Sequence, residues 1–236
     1  GTRHMQLRQS GALLAATLLL AACGSDYSSA SLDTDDQKAS YGIGQDFGRN
    51  LKPAKSRLDM PAFIRGLEDA LNDRDAAVAQ EELQVALEAF NAAVMAEQQA
   101  EHEAVAAKNL AEGEAYLEEN GAKDGVVTTA SGLQYEVLRE GDGATPSAEN
   151  RVSIHYKGTL LDGTQFDSSY DRNEPAVFGV SGVIDGFSEA LQLMPVGSHF
   201  RVVIPGDLGY GPQGTQGDIG PNATLIFEIE MLEIVQ

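Results

Sequence analysis

The chain of 236 residues is strongly acidic, with 36 Asp and Glu side chains against 16 Lys and Arg and a formal net charge of −20. Acidic residues outnumber basic ones in both halves, so phosphate backbones and anionic lipid surfaces are repelled and nucleic-acid binding is not expected. The apolar content of 42% is typical of a globular protein, and the length suffices for two modest domains. The single cysteine, Cys23, excludes an intrachain disulfide.

The first 23 residues are interpreted as a tag remnant (residues 1–4) followed by a secretory signal. Arg8 precedes a mostly apolar segment from Ala12 to Ala22, which is too short to span a bilayer because a spanning helix needs about 20 residues. The ending at residues 20–23 resembles a bacterial lipobox, which implies lipidation of Cys23. The alternative is an ordinary buried helix with a chance cysteine. No aspartate follows Cys23 directly, which by analogy with lipoproteins favours the outer membrane, facing the periplasm or the cell surface.

Residues 24–34 form a small, polar segment that predicts a flexible tether. A helical domain is predicted over residues 35–95. Its first helix spans about Asp35 to Leu51, and its second begins at Asp59 as N-cap with Pro61 in the first turn. Residues 80–120 contain no proline and one glycine, Gly113, which predicts a single long helix of roughly 60 Å.

The long helix changes character along its length. An apolar stripe occupies its first part, whereas alanine dominates after Met95. This predicts packing of the first half and solvent around the second, so residues 96–125 are interpreted as a helical linker. The pair Asn120 and Gly121 is expected to end the helix as a left-handed cap.

Residues 126–236 switch to a period of two with frequent glycine, which predicts strands. Asp162 and Gly163 indicate a hairpin. Further strands are expected over residues 200–204 and 225–234, with one short helix over residues 187–193. A helical first half followed by a mostly β second half argues for two domains and an α+β fold class.

Familiar catalytic sets are absent from the sequence. No histidine has metal-ligand spacing to another His or Cys, and there is neither a Gly-x-Ser-x-Gly elbow nor a glycine-rich phosphate loop before a helix. We therefore expect neither covalent catalysis nor a cofactor or metal. The β region instead carries aromatic residues near turns, which without other information are most simply interpreted as core.

Six ordered blocks within the β region of residues 126–236 resemble the FKBP family of peptidyl-prolyl cis-trans isomerases. They are residues 152–160, 162–169, 183–187, 194–197, 209–211 and 221–227. The helical half is similar to that of the macrophage infectivity potentiator proteins within that family. The resemblance implies a strongly bent antiparallel sheet wrapped around one short helix, preceded by an all-α dimerisation domain with a long connecting helix.

The resemblance also implies a set of pocket residues. Catalytic roles fall to Tyr156, Asp167, Tyr210 and Phe227, and substrate or ligand binding to Phe166, Phe178, Val183, Ile184 and Phe187. Two residues depart from the family pattern: Phe187 stands where tryptophan is frequent, and Ala176 where a larger apolar residue is frequent. An alternative role for Asp167 is a turn cap after the hairpin.

The implied partners are proline-containing polypeptide clients, macrolide inhibitors such as rapamycin, and a second copy of the chain. A self-contained helical bundle is the alternative to the homodimer. Three physiological roles remain open: an isomerase that assists folding of envelope proteins, a holdase chaperone with an incidental pocket, and a surface adhesion or virulence factor.

Overall fold

The computed structural model describes residues 29–235, so the proposed signal and Cys23 lie outside the described residues. The chain divides into two compact units between Ser56 and Arg57. Within residues 29–235, no helix is both long and apolar enough to cross a membrane. The predicted domain boundaries at residues 23, 34, 95 and 125 remain predictions.

The first unit contains helix α1, Asp35–Leu51, which has the predicted bounds. Thr34 caps it: its hydroxyl accepts from the Gln37 backbone N–H, and the Gln37 side chain accepts in return from the Thr34 backbone N–H. This capping box satisfies donors that the first helical turn leaves free. A short 3-10 turn, Lys52–Ala54, follows.

The second unit begins with helices α2, Met60–Leu71, and α3, Gln80–Gly121. Asp59 caps α2 as predicted, with its side chain accepting from the Ala62 backbone N–H at 2.8 Å. The 42 residues of α3 give a helix of about 63 Å. The predicted left-handed cap is wrong, because Gly121 is still helical and the C-cap is Ala122 in the right-handed region.

The predicted packing of α3 is also wrong in one respect. Its two buried residues, Gly113 and Asn120, lie in the second half, which was expected to face solvent. Asn120 donates from Nδ2 to Gln134 Oε1 at 2.9 Å, and Gln134 donates from Nε2 to the Leu117 carbonyl at 2.8 Å. The second half of α3 therefore packs against the sheet through polar contacts, although it lacks the apolar stripe from which packing was predicted.

Seven strands form one antiparallel sheet. They are β1 Val126–Thr128, β2 Gln134–Arg139, β3 Arg151–Leu160, β4 Gln165–Ser168, β5 Ala176–Gly179, β6 His199–Ile204 and β7 Leu225–Val235. The order is β1-β2-β6-β7-β3-β4, and β5 pairs with β3 beside β4. The longest pairing joins β3 to β7, from Arg151 opposite Val235 to Leu160 opposite Leu225.

Helix α4, Asp185–Leu191, begins and ends two residues before the predicted bounds. Its buried residues Phe187, Ala190 and Leu191 join the inward-facing side chains of the strands in one core. The predicted hairpin joins β3 to β4, where Gly163 has a φ of 86°, a backbone conformation that glycine adopts without strain. The predicted α+β fold class, with a helical first part and an antiparallel sheet around a short helix, is confirmed.

Candidate functional site

A cavity of about 750 Å³ opens between α4 and one face of the sheet. All nine pocket residues named from the sequence line it: Tyr156, Phe166, Asp167, Phe178, Val183, Ile184, Phe187, Tyr210 and Phe227. They come from β3, β4, β5, β7, the start of α4 and the turn before Gly211, so only the folded sheet brings them together. Their individual roles remain predictions.

Five of the aromatic rings that line the cavity pack against one another. Phe187 packs edge-on against Phe227, with ring centroids 4.9 Å apart and planes at 76°. Tyr156 meets Phe187 at 6.0 Å and 80°, and Phe166 meets Phe227 at 5.5 Å and 82°. Edge-to-face contacts suit the ring quadrupoles and hold each ring in place. The fifth ring, Phe178, contacts Tyr156 and Phe187 in the same edge-on manner.

Gly158 on β3 makes this ring arrangement possible. A Cβ at this position would lie 2.6 Å from a Phe166 ring atom and 2.7 Å from a Phe227 ring atom. Since real Cβ atoms do not approach so closely, glycine is required where the two rings cross the strand. Ala176, by contrast, packs against the core from β5 and does not line the cavity.

Asp167 is a carboxylate at the edge of this aromatic cavity. The Tyr156 hydroxyl donates to its Oδ2, and Arg172 Nη1 donates to its Oδ1 at 2.6 Å. Arg172 Nη2 also donates to the Tyr156 hydroxyl at 3.1 Å. The three side chains thus form a closed hydrogen-bonded triangle. The Ser168 backbone N–H donates to Asp167 Oδ1 at 2.8 Å, a local contact of the kind a turn cap makes.

The triangle sets the protonation states of its members. Burial raises the pKa of Asp167, but the hydrogen bonds from Tyr156 and Arg172 outweigh it, so the pKa lies below its ordinary value. Burial and the bond to Asp167 raise the pKa of Tyr156. At neutral pH the site therefore holds a carboxylate, a guanidinium and a protonated phenol.

Tyr210 and Ile184 bring polar groups to the cavity wall. Tyr210 is 41% exposed, and its hydroxyl makes no hydrogen bond to any atom of residues 29–235. Ile184 is the N-cap of α4, so its backbone N–H precedes the helical hydrogen-bond ladder. Both groups can donate to a bound carbonyl.

Sequence reasoning missed several lining or supporting residues. Arg172 was not named, and neither were Thr215, Asp218 and Ile219, which line the cavity from the loop before β7. Arg172 lies five residues after Asp167 in an irregular segment with no periodicity that indicates its direction. Its only signal was a basic residue in a strongly acidic chain. Within residues 29–235, no group of three potential metal ligands exists.

Comparison with known proteins identifies both parts of the chain. Residues 36–137 match the family described as the domain amino terminal to FKBP-type peptidyl-prolyl isomerase. Residues 143–232 match the family described as FKBP-type peptidyl-prolyl cis-trans isomerase.

Among individual relatives, the outer membrane protein MIP of Legionella longbeachae is 40% identical, over 86% of this chain and 88% of that protein. The FKBP-type 22 kDa peptidyl-prolyl cis-trans isomerase of Escherichia coli K12 is 44% identical, over 87% of this chain and 98% of that protein. The crystal structure of FkpA from Escherichia coli superposes with a TM-score of 0.68 at 39% identity, covering 86% of this chain and 98% of that one. The chain therefore belongs to the FKBP-type peptidyl-prolyl cis-trans isomerases, in the group with an amino-terminal helical domain that includes proteins named Mip and FkpA.

Proposed function

We propose that X-Pro isomerisation takes place in the cavity between α4 and the sheet, on proline-containing polypeptides of the bacterial envelope or secretory route. The observation that carries this proposal is the hydrogen bond from Tyr156 to Asp167 at the edge of five aromatic rings. A cavity of about 750 Å³ is of the size that encloses a small ligand or a few residues of a peptide.

The reaction needs no covalent intermediate. Rotation about an amide bond faces a barrier of about 18–20 kcal/mol because resonance is lost when the bond is perpendicular. The twisted amide is less charge-separated than the planar one, so an apolar, water-poor cavity favours it over the ground state. Stronger binding of the twisted form than of the planar form is what accelerates the rotation.

The apolar side chains Phe166, Phe178, Val183, Phe187 and Phe227 would surround the proline ring. The Ile184 backbone N–H would donate to one substrate carbonyl and the Tyr210 hydroxyl to another, which fixes the peptide on either side of the rotating bond. Asp167, held by Tyr156 and Arg172, would shape the electrostatic field at the carbonyl that turns.

We also propose that the helical part mediates a homodimer. Large apolar side chains are exposed on α1 and α3 in the single chain, among them Ile43 at 64%, Phe47 at 55% and Leu87 at 58%. Exposed apolar patches of this kind mark association surfaces, and a second copy would bury them. The proposed interface residues are Tyr41, Ile43, Phe47, Phe63, Ile64, Leu67, Leu83, Leu87, Phe90 and Val94.

The proposed location is the bacterial envelope, with a lipid anchor on Cys23. The support is the lipobox-like sequence and the name of one relative, outer membrane protein MIP. Mass spectrometry of the mature protein isolated from its host tests the anchor: a diacylglyceryl-modified first residue at Cys23 is expected, and an unmodified Cys23 would contradict it.

The first test of the site is a protease-coupled isomerisation assay on an Ala-Leu-Pro-Phe peptide, with and without rapamycin, using the chain from Ser25 onward. We expect the protein to accelerate isomerisation and rapamycin to abolish the acceleration, since the peptide and rapamycin would contact the same aromatic rings. A folded protein that gives no acceleration would contradict the assignment of this cavity. Acceleration that rapamycin does not inhibit would support the isomerase reaction and contradict the prediction that macrolides bind.

Folding-chaperone activity is the second candidate, supported by exposed apolar side chains of the helices that lie outside the proposed dimer interface, namely Met60, Leu71 and Met95. It predicts that aggregation of a proline-free client is suppressed by the full chain and also by its Asp167→Asn variant. Suppression that disappears together with isomerase activity would contradict an independent chaperone surface.

A further inference from the structure

A second groove lies beside the cavity, between the second half of α3, the β3–β4 hairpin and the loop before β7. We call it the α3 groove. Its volume is about 380 Å³, and its apolar wall consists of Val105, Leu160, Leu161 and Ala223. Val105 is 37% exposed although it lies next to these apolar neighbours. The groove thus offers apolar surface that the single chain leaves in contact with solvent.

The α3 groove adjoins the isomerase cavity. Asp218, in the loop before β7, lines both the groove and the cavity. A polypeptide whose X-Pro bond lies in the cavity continues beyond it on both sides, because a client is longer than the rotating unit. Because Asp218 lines both, a flank that passes Asp218 reaches the groove.

The wall that α3 contributes is fixed before any client binds. Asn109 donates from Nδ2 to the Pro221 carbonyl at 2.8 Å, and Asn222 donates from Nδ2 to the Ala106 carbonyl at 3.5 Å. Gly113 lies so close to Thr224 that a Cβ would stand 2.3 Å from its hydroxyl oxygen. A groove held by these contacts binds an extended segment without first having to order its own walls.

The charges of the groove indicate which segments it accepts. Its carboxylates are Glu112, Asp162 and Asp218, and its one cation among the described residues is Lys108. Lys108 pairs with Glu112 at 3.8 Å, and its charge also acts on Asp162. The three carboxylates still outnumber the one cation, so the groove is negative overall. A flank with an apolar side chain for the wall and a basic neighbour for the carboxylates therefore fits best.

We propose that the α3 groove is a client subsite that binds the apolar and basic segment flanking the X-Pro bond. The proposal rests on isomerisation in the adjoining cavity. It gives the second half of α3, predicted from the sequence as a helical linker, a part in substrate binding.

The test compares a short peptide with extended ones. The core is Ala-Leu-Pro-Phe, and flanks containing Leu and Lys are added on its amino or its carboxyl side. Exchange spectroscopy by NMR measures kcat/KM for each peptide without a coupling protease. We expect the flank on one side to raise kcat/KM about tenfold over the core, as burial of one or two apolar side chains predicts.

Val105→Glu and Leu161→Glu are each checked for folding by thermal unfolding. In both variants, kcat/KM for the extended peptide should fall to the value for the core peptide. The matched control is Leu110→Glu, which adds the same charge at an exposed position of α3 outside the groove and should leave the ratio unchanged. A flank with Glu in place of Lys should lose most of the gain.

Two results would overturn the proposal: no gain from extension on either side, or an equal loss of the ratio in Leu110→Glu and Val105→Glu. The first would mean that clients contact only the cavity, and the second that added charge acts at long range. Failure of the wild-type chain to accelerate the core peptide would instead contradict isomerisation in the cavity, so the two failures are distinguishable.

Discussion

The Tyr156 hydroxyl donates to Asp167 Oδ2, while Arg172 donates to the other carboxylate oxygen and to the same hydroxyl. Tyr156 and Arg172 each hold one oxygen of the Asp167 carboxylate. Together they determine how the carboxylate is oriented toward the aromatic rings. The carboxylate is thereby preorganised, and no reorganisation is required when a substrate amide twists beside it.

Replacement of Asp167 by Asn tests this arrangement at constant shape. We expect kcat/KM for the core peptide to fall about tenfold, because the negative charge at the edge of the cavity is lost and the amide offers one acceptor oxygen where the carboxylate offers two. The matched control is Asp171→Asn, which removes a carboxylate that accepts from Gln165 outside the cavity. Undiminished turnover in folded Asp167→Asn would exclude a role of the charge in the reaction and leave Asp167 as a turn cap.

The pH dependence of the reaction should reflect the lowered pKa of Asp167. Since this pKa is lower in the folded than in the unfolded chain, the carboxylate adds stability that is complete above about pH 5 and is lost as pH falls through the folded pKa. Because the carboxylate also stays ionised over this range, the Asp167-dependent part of kcat/KM should not change with pH from about pH 5 upward. The measurement is the kcat/KM profile of the core peptide followed by NMR.

Arg172→Gln removes the cation that helps to lower this pKa, so the acid limb of the same profile should move to higher pH. Arg139→Gln serves as the control, because Arg139 pairs with Glu230 rather than with a cavity residue. An acid limb that does not move in Arg172→Gln would show that protonation of Asp167 does not limit the rate.

Tyr210→Phe tests the proposed hydrogen bond to a substrate carbonyl. The hydroxyl has no hydrogen-bond partner within residues 29–235, so its removal should leave thermal stability unchanged. Loss of one hydrogen bond should weaken rapamycin binding by about 1 kcal/mol, or about fivefold, as measured by calorimetry. Equal affinity in both proteins would assign Tyr210 a packing role only.

The proposed dimer should be sensitive to charge at the exposed apolar residues of α1 and of α3. Ile43→Glu and Leu87→Glu each place a carboxylate where a second copy would require an apolar contact, and both positions are more than half exposed in the single chain. Sedimentation should give twice the chain mass for the parent and one chain mass for the double variant. A single-chain mass of the parent at micromolar concentration would favour the self-contained bundle.

Prediction from sequence succeeded where local chemistry or an ordered motif determines the outcome. Asp59 was predicted as the N-cap of α2 from its side chain and from Pro61 in the first turn, and eight of the nine cavity residues lie in blocks whose order matches a known family. Arg172 and Ile219 were missed because they lie in irregular segments, where neither period nor cap indicates which way a side chain points.

The second half of α3 was misjudged for a different reason. A search for an apolar stripe detects packing that buries hydrocarbon, whereas this segment contacts the rest of the unit through Asn109, Gly113 and Asn120. A glycine within a long helix costs about 1 kcal/mol relative to alanine, so Gly113 was itself a signal of a close approach.

Gly113→Ala tests that close approach, because two effects of opposite sign compete at this position. Helix propensity favours Ala by about 1 kcal/mol. However, the new Cβ would stand 2.3 Å from Oγ1 of Thr224, a buried residue immediately before β7. We expect the contact to dominate, with a loss of about 1–3 kcal/mol in the free energy of unfolding measured by urea denaturation. Adding Thr224→Ala should restore much of this loss because it removes the colliding oxygen, whereas adding Thr224→Ser, which keeps that oxygen, should not. A stabilised Gly113→Ala single variant would mean that α3 moves away from the sheet at little cost, and would remove the fixed wall from the α3 groove.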